Sequence, residues 1–145
     1  MHLNALPNPE EGGIATFVLD TSDDKHALRL AARENGVDES KVSGLQTVLA
    51  SLQRQGQMPK SERLAALIHR GLLASARQHY PTVEDRGIRR ALFFVLAGVH
   101  VPSVLVEASF MTNPTEAQLL KTRRYRQLLA EGVAEGMLSY LSENE

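Results

Sequence analysis

Apolar positions along the chain fall into two kinds of pattern. Ile14–Leu19 ("IATFVL") is an unbroken β-branched, aromatic and aliphatic run, which predicts a strand. Leu45, Val48, Leu49 and Leu52 recur with helical spacing, as do Leu64, Leu67, Ile68 and Leu72, and each set predicts one buried helix face. "KHALRLAAREN" predicts a further helix, with capping groups in "DTSDD" before it and Gly36 as its stop. "QGQMPK" breaks the second helical pattern from the third, which Ser61 can cap and Pro81 closes. "TVEDRGIRR" then reads as a polar turn. Two short apolar runs follow, Ala91 to Val99 and Pro102 to Ala108, both of strand length and neither with helical periodicity.

The two ends are as readable. "MHLNA" resembles the tail of a strand, and "LPNPEEGG" is a loop rich in turn formers. Asn113 as N-cap, Pro114 at N1 and Glu116 at N3 start a helix at one place. The basic residues from Lys121 to Arg124 mark a break, and a last helix runs through Leu128, Leu129, Val133, Met137 and Leu141. The order of elements, with wholly apolar strands, predicts an α/β fold: a mainly parallel sheet flanked by helices. No repeat or interdomain linker is visible, so residues 1–145 are read as one domain.

Composition narrows the function. The 145 residues are 43% hydrophobic and 23% charged, ordinary for a globular domain. A net charge of -1 offers no global field for nucleic acid or an anionic membrane. Cysteine is absent, which excludes disulfides, thiolate–zinc sites and cysteine nucleophiles. No apolar stretch approaches the roughly 20 residues of a membrane span. "MHLNALPNPEEGG" shows no export signal. HExxH, GxSxG, GxGxxG and P-loop patterns do not occur.

Two residues carry candidate chemistry. Glu107 interrupts the apolar run of Val104, Leu105 and Val106, at the expected end of a strand. Ligands of open α/β sheets sit outside the carboxyl ends of the strands, and His2 occupies such an end if "MHLNA" is a strand tail. A histidine with a nearby carboxylate suits a zinc site in which the carboxylate takes a proton from bound water. Two plainer readings compete: His2 as a solvated terminal residue, and Glu107 in a buried ion pair with Arg86, Arg89 or Arg90. The other histidines are weaker candidates: His26 and His69 fall on expected exposed helix faces, His79 at a helix end and His100 in a loop. "KTRRYR" reads as a solvated face.

"VPSVLVEASFMTNPTEAQLL" resembles the signature segment of the zinc-dependent N-acetylmuramoyl-L-alanine amidases of the amidase_3 family, bacterial cell-wall enzymes. "DRGIRRALFFVLAGVHVPSVLVE" is similar to that family's Arg-Gly turn and following strand. "MHLNALPNPEEGGIATFVLD" is similar to its segment with a zinc-binding histidine, an asparagine two residues on and a glycine-led strand. "LRLAARENG" and "LQTVLASL…SERLAALI" resemble the helices between, so the likeness spans nearly the whole chain.

The resemblance implies His2 as a zinc ligand and Glu107 as the catalytic glutamate. It implies Zn2+ as cofactor, peptidoglycan as substrate, and the periplasm or cell envelope as the place of action. The family's other two zinc ligands and its opening strands precede the segment matched by His2. The expectation is therefore the C-terminal portion of a catalytic domain, inactive alone, with an exposed sheet edge that pairs or aggregates. "VDESKVSG" leaves no room for the extra helix of self-inhibited members, so activation by a partner is not expected. The alternative is a non-catalytic remnant of the same fold that binds peptidoglycan or a protein.

Overall fold

The computed structural model describes residues 1–20, 25–41, 58–97 and 99–143. The expected caps at 21–24, the helix through Leu45 to Leu52 and the His26 side chain lie outside the described residues. Four strands, β1 (His2–Asn4), β2 (Ile14–Leu19), β3 (Asp85–Ala91) and β4 (Leu105–Phe110), form one sheet in the order β1-β4-β2-β3. β1 pairs with β4 and β2 with β3 in parallel, while the central β2–β4 pair is antiparallel. Two of three pairings are thus parallel, and the sheet is α/β and mostly parallel.

Helices cover both faces because the central strands bury both faces. Ala15, Phe17 and Leu105 pack against Ala27, Leu30 and Ala31 of α1 (Lys25–Asn35). Ile14, Val106 and Ala108 pack against Ile68 and Leu72 of α2 (Met58–Arg77) and Tyr125 and Leu129 of α4 (Arg123–Ser142). Helices α2 and α4 approach at a glycine seam. A Cβ on Gly136 would lie 2.4 Å from the Ile68 Cα, and one on Gly132 would lie 2.7 Å from the Leu72 Cα. Only hydrogen fits there.

Local signals held where local chemistry decides. α1 stops at Gly36, whose φ of 66° belongs to a left-handed cap. α3 (Pro114–Lys121) starts where expected, with the Asn113 side chain accepting from the Thr115 and Glu116 amides at 3.0 and 3.1 Å. The Glu116 carboxylate then turns inward, accepting from the Gly13 and Phe110 amides, which ties the starts of β2 and α3 to the end of β4.

Three expectations shift. The "polar turn" contains β3: an edge strand needs one ladder and one half-buried face, so β2's free edge makes a strand of a charged sequence. The apolar run from Ala91 leaves the sheet instead of forming a strand. Asn35 donates to the Leu92 carbonyl at 2.7 Å and accepts from the Phe94 amide at 2.8 Å, fixing a 3-10 turn at Phe94–Leu96. Phe93 meets Phe17 edge-on at 5.1 Å, so the run fills the core. Ser61 lies inside α2, which begins at Met58 with Pro59 in its first turn, and its hydroxyl accepts from the Ser103 amide.

Candidate metal and catalytic centre

Register, and not strand ends, brings the two predicted residues together. His2 of β1 is the parallel partner of Glu107 on β4, and Ala15 of β2 flanks Glu107 on the other side. Glu107 is the third residue of β4 and not its last, because the strand continues to Phe110. His2 Nδ1 lies 3.9 Å from Glu107 Oε1.

A bulge shapes this register. Three residues of β1, from His2 to Asn4, face four of β4, from Glu107 to Phe110. The additional residue lets Ser109 turn to the α4 side, where its hydroxyl and that of Tyr125 are 2.8 Å apart. Phe110 sits under the Arg86 guanidinium at 5.1 Å. Asn4 is buried; its side chain accepts from the Ala5 amide and its carbonyl from the Met111 amide.

Glu107 is fully buried, and neither carboxyl oxygen has a hydrogen-bond partner. The expected arginine partners are engaged elsewhere. Arg86 binds Glu11 and the Gly12 carbonyl, Arg90 binds Asp20 and Glu62, and Arg89 donates to the Arg86 carbonyl. Burial pushes the Glu107 carboxyl up to about 7, Glu34 adds to that, and Arg33 and the amino terminus pull the other way. An acid poised near neutrality can take and return a proton.

A third group joins the pair. Glu34, on the last turn of α1, places Oε2 3.1 Å from His2 Nδ1. One donor atom from each of His2, Glu34 and Glu107 lies within 4.8 Å of the others. Sequence reasoning missed Glu34: 32 positions separate it from His2, and no local motif surrounds it. An imidazole nitrogen beside two carboxylates, one with both oxygens unpartnered, is a donor set that fits zinc.

His69 corrects another expectation. It is buried, with Nδ1 3.0 Å from the Thr16 hydroxyl and Nε2 2.8 Å from Asp85 Oδ1, and that bond holds the Asp85 carboxyl below its usual range. Thr16 is itself fully buried, so the trio laces α2 to β2 and β3 instead of presenting a nucleophile.

A family model described as N-acetylmuramoyl-L-alanine amidase, Amidase_3, matches residues 1–139. The chain belongs to the Amidase_3 family. Among this Amidase_3 chain's relatives, N-acetylmuramoyl-L-alanine amidase AmiA of Escherichia coli is 35% identical over 151 residues, covering 97% of this chain and 50% of AmiA. N-acetylmuramoyl-L-alanine amidase LytC of Bacillus subtilis is 34% identical over 113 residues, covering 78% of this chain and 21% of LytC. The crystal structure of an N-acetylmuramoyl-L-alanine amidase from Clostridium difficile 630 superposes with a TM-score of 0.66 at 26% identity, covering 99% of this chain and 56% of that one. The Amidase_3 chain thus spans about half the length of AmiA. No helix among its described residues is long and apolar enough to cross a membrane.

Proposed function

We propose that this chain forms part of a zinc-dependent cell-wall hydrolase acting in the periplasm or cell envelope. The bond cut is the amide between N-acetylmuramic acid and the L-alanine of the peptidoglycan stem peptide. The observation that carries the reading is the Glu107 carboxyl: fully buried, unpartnered, raised to about 7, and set against His2 by strand register.

His2 would hold zinc through its imidazole. When bound, the metal supplies a water of lowered pKa and polarisation of the scissile carbonyl. Glu107 takes a proton and delivers it to the departing alanine nitrogen, which leaves poorly as an anion. With the arginines of β3 committed to other partners, the carboxyl stays free to cycle between its two forms. The strand ladders on both sides of β4 hold it in place.

The test is digestion of purified peptidoglycan by the complete gene product with zinc, counting new L-alanine amino termini by mass spectrometry. Glu107→Gln is expected to lower their release by about 10²–10⁴-fold. An unimpaired Glu107→Gln enzyme refutes the assignment. Peptidoglycan binding without new amino termini, unchanged by Glu107→Gln, identifies the non-catalytic remnant instead.

A further inference from the structure

Charge is unevenly spread over this molecule. The chain carries a net charge of -1, yet residues 63–83 and 117–130 hold basic residues and no aspartate or glutamate. The fold brings the ends of these two stretches together, because α2 and α4 run antiparallel across their glycine seam. At that corner His79, just beyond α2, meets Arg124 at the start of α4, whose guanidinium Nη2 lies 3.1 and 3.0 Å from the two ring nitrogens. Lys121, Arg123 and Arg126, all within three residues of Arg124, are exposed, as is Arg77 in the last turn of α2.

Helix stability opposes this arrangement. Arginines in the first turn of α4 meet the positive end of its dipole, where acidic residues are favoured. Arg126 donates to the Leu120 carbonyl at 2.6 Å and Arg77 to the Val83 carbonyl at 3.1 and 3.0 Å, contacts that leave both positive charges uncompensated. Lys121 and Arg123 make no hydrogen bond or ion pair among the described residues. The corner also stands apart from the metal and catalytic centre. Glu107 turns to the face of the sheet where Glu34 of α1 lies, and α4 covers the opposite face.

No large apolar side chain is exposed in either stretch. Guanidinium and ammonium groups without an apolar anchor fit phosphate oxyanions presented across a surface, held from outside and without insertion. We propose that the corner formed by Arg77, His79, Lys121, Arg123, Arg124 and Arg126 docks reversibly on an anionic phospholipid surface, with the Glu107 face of the sheet turned away from the bilayer. The choice of lipid among phosphate-bearing surfaces rests on the cell-envelope location proposed above; the charge pattern does not.

The complete gene product is sedimented with vesicles of phosphatidylglycerol and phosphatidylcholine in equal parts, and with vesicles of phosphatidylcholine alone, at low and high salt. Binding is expected to the anionic vesicles only, and at low salt only. Lys121→Gln combined with Arg123→Gln should weaken it about 30-fold, whereas Lys121→Arg, which keeps the charge, should bind as wild type. Circular dichroism of the double variant should match wild type, as should its peptide release from a soluble muropeptide. Absence of binding to anionic vesicles, equal binding to neutral ones, or binding unchanged in the double variant overturns the inference. So does variant-sensitive binding to lipid-free peptidoglycan without vesicle binding, which assigns the corner to the polymer. Peptide release decides the hydrolase reading separately: release without docking sinks only this inference, and docking without release sinks only that reading.

Discussion

Replacing Glu107 by glutamine should stabilise the metal-free protein, and only above acidic pH. The carboxyl titrates near 4.5 when unfolded and near 7 when folded, chiefly because burial disfavours its charge. At about 1.4 kcal/mol per decade of acidity, ionised Glu107 costs the fold about 3 kcal/mol. The folded pKa is the raised one, so the unfolded chain loses its proton first. Below pH 4.5 both states are protonated and there is no penalty. Between 4.5 and 7 stability falls as pH rises, and above 7 the deficit is complete. Glutamine fills nearly the same volume without a charge to desolvate. Urea unfolding in EDTA should therefore give matching curves for wild type and Glu107→Gln near pH 4. By pH 8 the variant should lead by about 3 kcal/mol. Added zinc should shrink that lead, because a nearby cation favours the carboxylate. Parallel stability curves from pH 4 to 8 would refute the reasoning: Glu107 would then be paired or solvated.

Two further predictions concern the scaffold. Gly136→Ala forces a methyl into the Ile68 backbone, and its overpacking should exceed the roughly 1 kcal/mol of helix propensity that alanine brings. A net loss of about 2 kcal/mol in urea is expected, whereas the exposed Glu135→Ala should stay within about 0.5 kcal/mol. Asn113→Ala removes the acceptor for two amides of α3 and should cost about 1 kcal/mol, with Asn113→Asp largely neutral. Thermal unfolding followed by circular dichroism reads this pair directly.

Legibility in the sequence followed the range of the forces involved. Asn113, Pro114 and Glu116 act within one helical turn, so their spelling sufficed to locate α3. The central strand Ile14–Leu19 declares itself by burial on both faces. β3 does not, because its conformation comes from the ladder offered by β2, a partner some 70 positions away. Leu92, Phe93 and Leu96 are apolar because they fill the core, and apolarity without periodicity cannot separate that from a strand. His69 looked exposed because the buried hydroxyl and carboxylate that satisfy it lie on other elements. That His2 and Glu107 would share one edge of the sheet was legible from the strand pattern, but the register that pairs them was not. Glu34 was not legible at all, since a glutamate at the end of an amphipathic helix is commonplace.

The bulge in β4 and the solitude of Glu107 have one cause. In a regular strand Leu105, Glu107 and Ser109 would share a face, and the serine hydroxyl could lie near the carboxylate. The additional residue turns Ser109 across the sheet to Tyr125, so that hydroxyl is satisfied on the far side and Glu107 is left without a hydrogen bond. Elsewhere the fold is scrupulous. Among the described residues the buried side chains of Asn4, Thr16, Ser61, His69, Ser75, Ser109 and Glu116 all have hydrogen-bond partners. Glu107 is the exception, although its strand has a neighbour on each side from which a donor could come. An orphaned carboxylate is expensive, and a bulge that removes its nearest donor adds to that cost. Both become intelligible if the missing partner is the ion and water of a hydrolytic centre, which a hydroxyl or guanidinium at that spot would displace.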